Sequence, residues 1–250
     1  MKKNTTNHLW LKGLLKCALV LLALGTRGAT AQPAATGADQ NDVIAIDILL
    51  QPDATMLDRA GAINDLLRKD FPKGFALDAS HRPHVTMAQR YVHTADLDKV
   101  YAAVGKVLAS SNVTGLKLEA YKFYYIPDGP LGLQGIVIKP TPELLKLQQA
   151  VIDAVTPFVV KNGTAAAFVP PSEGAIVPGL IEYVEVFVPE HSGEHFMPHV
   201  TTGLATREYL DKMAAEPFES FTFSPVGAAV YHLGNYGTAT TKLHEFDLKP

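Results

Sequence analysis

The sequence is poor in the residues that several protein classes depend on. It has one cysteine, Cys17, and one tryptophan in 250 residues. A lone thiol makes no intramolecular disulfide and excludes a cysteine-rich zinc module. No sign of charge dominates: 22 Lys+Arg against 25 Asp+Glu give a formal net charge of −3, without the basic surplus of a long-polyanion binder. The apolar run from Cys17 to Gly25 has nine residues, far short of the ~20 that span a bilayer. There is no G-x-S-x-G elbow, no P-loop and no G-x-G-x-x-G fingerprint, which removes the hydrolase-elbow, NTPase and dinucleotide readings. What is present is 47% hydrophobic and 19% charged residues, the make-up of a globular chain with a sizeable core.

The first 31 residues read as a secretory signal peptide. Lys2, Lys3, Lys12 and Lys16 give a basic start, the short apolar run follows, and Ala29-Thr30-Ala31 is a small-residue cleavage site. Residues 32–41 form a polar linker, and 42–250 are expected to be one domain. The segment 1–31 holds five Lys/Arg and no acid, so the mature chain carries 17 basic and 25 acidic residues, a net charge of −8, and no cysteine. A secreted, periplasmic monomer with no membrane anchor after cleavage is expected.

Hydrophobic periodicity divides the rest into strands and helices. Val43 to Leu50 reads as a strand whose Asp47 interrupts one face. Met56, Leu57, Ala60, Ile63, Leu66 and Leu67 repeat as a helix. A strand runs from His84 to Val92, and Thr94 caps a helix through Leu108. Leu116 to Ile126 and Leu133 to Lys139 pair around Pro127–Pro130. Thr141-Pro142-Glu143 starts a helix through Val155. The second half is predicted to repeat the order: strands at Ile181–Val188 and His199–Leu204, a helix capped by Thr206 and ending near Ala215, then strands at Phe221–Leu233 and Lys242–Leu248. The pattern predicts an α+β fold of two pseudo-symmetric halves, with antiparallel sheets flanked by helices around a central cleft.

Two identical tetrapeptides carry the functional argument. Pro83-His84-Val85-Thr86 and Pro198-His199-Val200-Thr201 each open a predicted strand. By composition, chance gives about 0.004 copies of such a string per chain. In a strand, residues i and i+2 share a face about 6.6–6.8 Å apart, so each His–Thr pair points one way. A cleft between the halves then holds two imidazoles able to act as acid and base and two hydroxyls able to donate to oxyanions. In-line attack on phosphorus asks for that set, and asks for no metal.

Paired H-x-[ST] motifs in the two halves of such a domain resemble the 2H phosphoesterase superfamily. The chain is most similar to its 2′-5′ RNA ligase / 2′,3′-cyclic phosphodiesterase (LigT-like) branch, over residues 43–248 including Leu233-Gly234-Asn235-Tyr236-Gly237. The resemblance implies a bilobal fold and cofactor-free hydrolysis of 2′,3′-cyclic phosphates to 2′-phosphates. It implies His84 as general acid on the leaving 3′ oxygen, His199 as the base activating water, and Thr86 and Thr201 as phosphate ligands. The expected partner is a small nucleotide or short oligonucleotide with a cyclic phosphate, not long nucleic acid.

Further candidates are Arg90, on the same predicted face as His84, and Tyr124 and Tyr236, able to stack on a base. His191, His195 and His199 stand four apart like a metal face, but Gly193 and Pro198 oppose a helix there, and a polar loop is expected. Three rival readings remain open: 2′-5′ ligase or oligonucleotide phosphodiesterase activity, a non-catalytic nucleotide-binding protein of the same fold, and a periplasmic metal-binding protein using His191, His195 and His199.

Overall fold

In the computed structural model, residues 43–172 and 174–248 are described. The signal peptide, linker and Cys17 lie outside them. Among the described residues are eight strands and five α-helices, in the order β1 (Val43–Pro52), α1 (Ala54–Asp70), β2 (Val85–His93), α2 (Leu97–Ala109), β3 (Leu118–Asp128), β4 (Leu131–Ile138), α3 (Pro142–Val155), α4 (Pro178–His191), β5 (His199–Thr206), α5 (Arg207–Ala215), β6 (Phe221–Phe223), β7 (Pro225–Leu233) and β8 (Ala239–Phe246). The strands form two antiparallel four-stranded sheets, ordered β2-β1-β7-β8 and β5-β4-β3-β6. This is the expected α+β class. None of the described helices is long and apolar enough to cross a membrane.

Each motif strand, β2 and β5, is the edge of its sheet, and the two edges touch. The helices cross over to hold them there. α1 leaves the first sheet and packs on β5 of the second, while α3 and α4, following the second sheet's β4, pack on β2. One apolar core joins the sheets, with Ile48, Val85 and Met87 from the first, Ile136 and Val200 from the second, and α2 and α3 through Val104 and Val151. Side-chain caps start three helices: Asp53 accepts from Met56 N, Thr141 from Leu144 N, and Thr206 from Tyr209 N, each cap worth about 1 kcal/mol.

Three expectations need correction. Ile181–Val188 is not a strand but the middle of α4: Pro178 opens the helix, and Leu180, Val184 and Phe187 are buried at helical spacing. Packing against β2 overrides the strand preference of its β-branched residues. Phe221–Leu233 is broken at Ser224, so β6 joins the second sheet and β7 the first. Asp53 N donates to the Ser224 carbonyl and Ser224 N donates to the Asp53 carboxylate, tying the break to the start of α1. Thr94 opens a 3-10 turn, Thr94–Asp96, and the α-helix begins only at Leu97.

Candidate active site

The two motifs are built alike at the backbone. A β-bulge follows each threonine: Leu49 pairs with Thr86 and Ile48 with Ala88, leaving Met87 extra, and Gly135 pairs with Thr201 and Gln134 with Gly203, leaving Thr202 extra. Bulges bend a strand and re-aim its side chains. In the second motif, Asn64 of α1 donates to the Thr202 carbonyl at 2.8 Å, satisfying the group that the bulge takes out of the ladder. Each histidine Nδ1 donates to the carbonyl two residues earlier, Arg82 O at 2.7 Å for His84 and Met197 O at 2.8 Å for His199. A carbonyl only accepts, so Nδ1 carries a proton in both rings and Nε2 is the working nitrogen.

The side chains beyond the bulges break the symmetry. On the first sheet Asp47 pairs with Gln89; the same positions of the second sheet hold Leu133 and Leu204. Asp47 is fully buried, and its Oδ2 receives Thr86 Oγ1 at 2.8 Å, Gln89 Nε2 at 2.9 Å and His84 Nε2 at 3.2 Å. Both nitrogens of His84 therefore face acceptors, the arrangement of an imidazolium. Burial alone pulls His84 down, but the Asp47 hydrogen bond and charge, with the Arg82 carbonyl, outweigh it and the net shift is upward. His199 has no partner at Nε2 among the described residues. Burial pulls it down, the Met197 carbonyl offsets this only in part, and the facing charge of His84 pushes it lower. The two imidazoles are thus biased in opposite directions, His84 toward its protonated form and His199 toward its neutral form.

The hydroxyls differ as well. Thr86 spends its proton on Asp47, whereas Thr201 has no hydrogen-bond partner among the described residues and keeps its donor for a ligand. Tyr124 of β3 sets its ring edge-on to His199, with centroids 5.1 Å apart. Gly135 permits that approach, since a Cβ there would lie 2.8 Å from the Tyr124 ring.

Both His–Thr pairs line one cavity of about 280 Å³. Gln89 and Leu133 complete its floor; Ile126, Pro127 and Asp128 reach over it from the β3–β4 hairpin; Val177, Leu180 and Tyr183 close it from the α4 side. Tyr236 also lines the cavity, from a turn where its backbone sits at φ 58°, ψ 19°, a left-handed conformation that costs a non-glycine about 1–3 kcal/mol. Asn235 pins that turn by accepting from Val177 N and Tyr236 N.

The structure thus brings together His84, Thr86, His199, Thr201 and Tyr236. Tyr124 stands behind His199 and is not part of the described cavity lining. Arg90 is not there either. The Met87 bulge reverses the alternation, so Gln89 shares the Thr86 face and Arg90, paired with Ile46, points the other way. It is buried with NH1 donating to Gln89 O at 3.4 Å, and burial, partly offset by Glu185, lowers its pKa to about 10. His191 packs on Tyr183 with ring centroids 4.3 Å apart. Among the described residues no group of three His, Cys, Asp or Glu side chains is placed to hold a metal ion.

Four site residues escaped the sequence reading. Asp47 was visible only as an acid in an apolar strand, and Gln89 and Asp128 had no signal of their own. Tyr183 was hidden inside the segment expected to be a strand. Its ring lines the cavity, burial and then the Asp47 charge raise its pKa, and the phenol remains a hydrogen-bond donor.

No family model matches the chain, and no curated protein matches it. Among solved structures it is similar to TT0787 of Thermus thermophilus, at 15% identity and TM-score 0.47 over 82% of this chain and 98% of that one. It is similar to E. coli LigT complexed with 3′-AMP at 15% identity and TM-score 0.43, over 84% and 99%. It is also similar to Kluyveromyces marxianus Usb1 at 12% identity and TM-score 0.37, over 82% and 98%.

Proposed function

We propose that the protein is a phosphodiesterase that opens 2′,3′-cyclic phosphates of ribonucleotides by two-histidine acid–base catalysis. The observation that carries this reading is the unequal wiring of two otherwise equivalent histidines. His199 Nε2, with its lone pair free, takes a proton from water as the water oxygen bonds to phosphorus. The bond from phosphorus to the 3′ oxygen breaks, and His84 Nε2 gives its proton to that oxygen. Its contact with Asp47 at 3.2 Å is at the long end of N–H···O distances, so the proton is shared rather than locked away. Charge growing on the non-bridging oxygens is met by the hydroxyls of Thr201 and Tyr183 and by the His84 cation. The product is a 2′-phosphate, and solvent exchange resets the two rings.

These steps require no metal and no cofactor. With an export signal at residues 1–31, the substrate would be a small nucleotide met outside the cytoplasm, in the periplasm. The test is turnover of the four nucleoside 2′,3′-cyclic phosphates by the protein, His84→Ala and His199→Ala, each with and without EDTA. A loss of at least about 10²-fold in each variant is expected, with wild-type activity unchanged by EDTA. Variants equal to wild type, or no turnover of any of the four, would contradict the assignment. Nucleotide binding that survives without turnover would favour a non-catalytic binding protein.

A further inference from the structure

Given a phosphodiesterase centre at His84 and His199, the rest of the cavity wall names the kind of substrate it takes. Above the reacting groups the lining is Ile126, Pro127, Val177 and Leu180, with the ring of Tyr183. Among the described lining residues none is Lys or Arg. The charged side chain at the rim is Asp128, exposed at the β3–β4 turn, where its Oδ2 accepts from Tyr236 Oη at 3.4 Å. Burial and then the Asp128 charge raise the Tyr236 phenol, so the carboxylate is felt inside the cavity.

A cyclic phosphate carries one negative charge, and the floor meets it with the His84 cation and the free Thr201 hydroxyl. A second phosphate in the same chamber would find mostly apolar side chains, neutral hydroxyls and a carboxylate, and no cation other than His84 among the described lining residues. Removing an unpaired charge from water costs more than such a wall returns, and the like charge of Asp128 adds to the cost. A cation does stand near His84: Arg82, with Phe75 and His81, borders a small recess that shares His84, Thr201 and Tyr236 with the chamber. With about 10 Å³ of space, roughly what one water needs, that recess does not hold a second phosphate.

We infer that the chamber selects cyclic phosphodiesters whose organic part is uncharged, and that Asp128 is the specificity-determining residue that rejects a second phosphate there. The preferred nucleotides are then nucleoside 2′,3′-cyclic phosphates with a free 5′-hydroxyl, and 5′-phosphorylated nucleotides are poor substrates.

Two measurements on the protein test this apart from the chemistry. The first compares kcat/KM for adenosine 2′,3′-cyclic phosphate with that for its 5′-phosphorylated form. The second compares calorimetric affinity for adenosine 2′-monophosphate with that for adenosine 2′,5′-bisphosphate. The second phosphate should weaken both by about tenfold at low salt, the size of a like-charge repulsion across roughly 10 Å at an effective dielectric of about 20. In Asp128→Asn the ratio should fall below about threefold, and Asp128→Lys should reverse the preference. Equal or better handling of the bisphosphate, no binding of either ligand, or a ratio unmoved by both substitutions overturns the inference. Discriminating binding without turnover of either cyclic nucleotide supports the charge filter and overturns the phosphodiesterase reading instead.

Discussion

The two motif strands are the same device with different neighbours. Each has a Pro-His-Val-Thr string, a bulge one residue on, and a carbonyl under Nδ1 that aims Nε2 at the cleft. At matching positions one strand then carries Gln89 against Asp47 of its neighbour, and the other carries Leu204 against Leu133. The shared part fixes where the imidazoles stand. The unshared part fixes which holds a proton. A symmetric scaffold can place two identical groups, but catalysis by an acid and a base needs them unequal, and here one buried carboxylate supplies the inequality.

Removing that carboxylate should have the largest effect. Asp47→Asn leaves His84 with its burial and without the charge that raises it, so the ring loses its proton at lower pH. The expected loss in kcat/KM is about 10²-fold near pH 8 and shrinks as the pH falls and the ring regains its proton. A pH-independent loss would mean that Asp47 acts only structurally. Next come the threonines. Thr201→Val removes the free donor and should cost about tenfold in kcat/KM, the value of one hydrogen bond to a charged group. Thr86→Val should instead show mainly in the alkaline limb of the pH profile, because its proton is spent on Asp47. Equal and pH-independent losses at both would erase the distinction between the hydroxyls. The smallest effect is expected from Leu133→Asp, which places a carboxylate where the second half has none. It should raise His199 and move the acid limb upward, a loss of less than about tenfold near pH 6, with little change near pH 8.

The shared half of this design was legible in the sequence and the unshared half was not. The repeated string located both His–Thr pairs because its meaning is local: a strand puts i and i+2 on one face. Arg90 was misplaced because a bulge leaves no mark in a β-branched run, and one extra residue reverses every later side chain. Asp47 was noticed as an interruption, yet its value lies in Thr86, Gln89 and His84, some forty residues away in sequence. Tyr183 was lost because I-E-Y-V-E-V-F-V alternates like a strand, and its helical state is set by Pro178 and by packing on β2. The break at Ser224 depends likewise on a long-range bond to Asp53. The residues read as an export signal lie outside those described, so that expectation stands on the sequence alone.

The central claim is that His84 and His199, alike in backbone setting, hold protons unequally. Titration of the two imidazole Cε1–H resonances by NMR, assigned through His84→Ala and His199→Ala, tests it most directly. Relative to the ordinary value of about 6.5, His84 should titrate above it and His199 below, and Asp47→Asn should pull His84 down. Coincident midpoints, or His199 titrating above His84, would contradict the account.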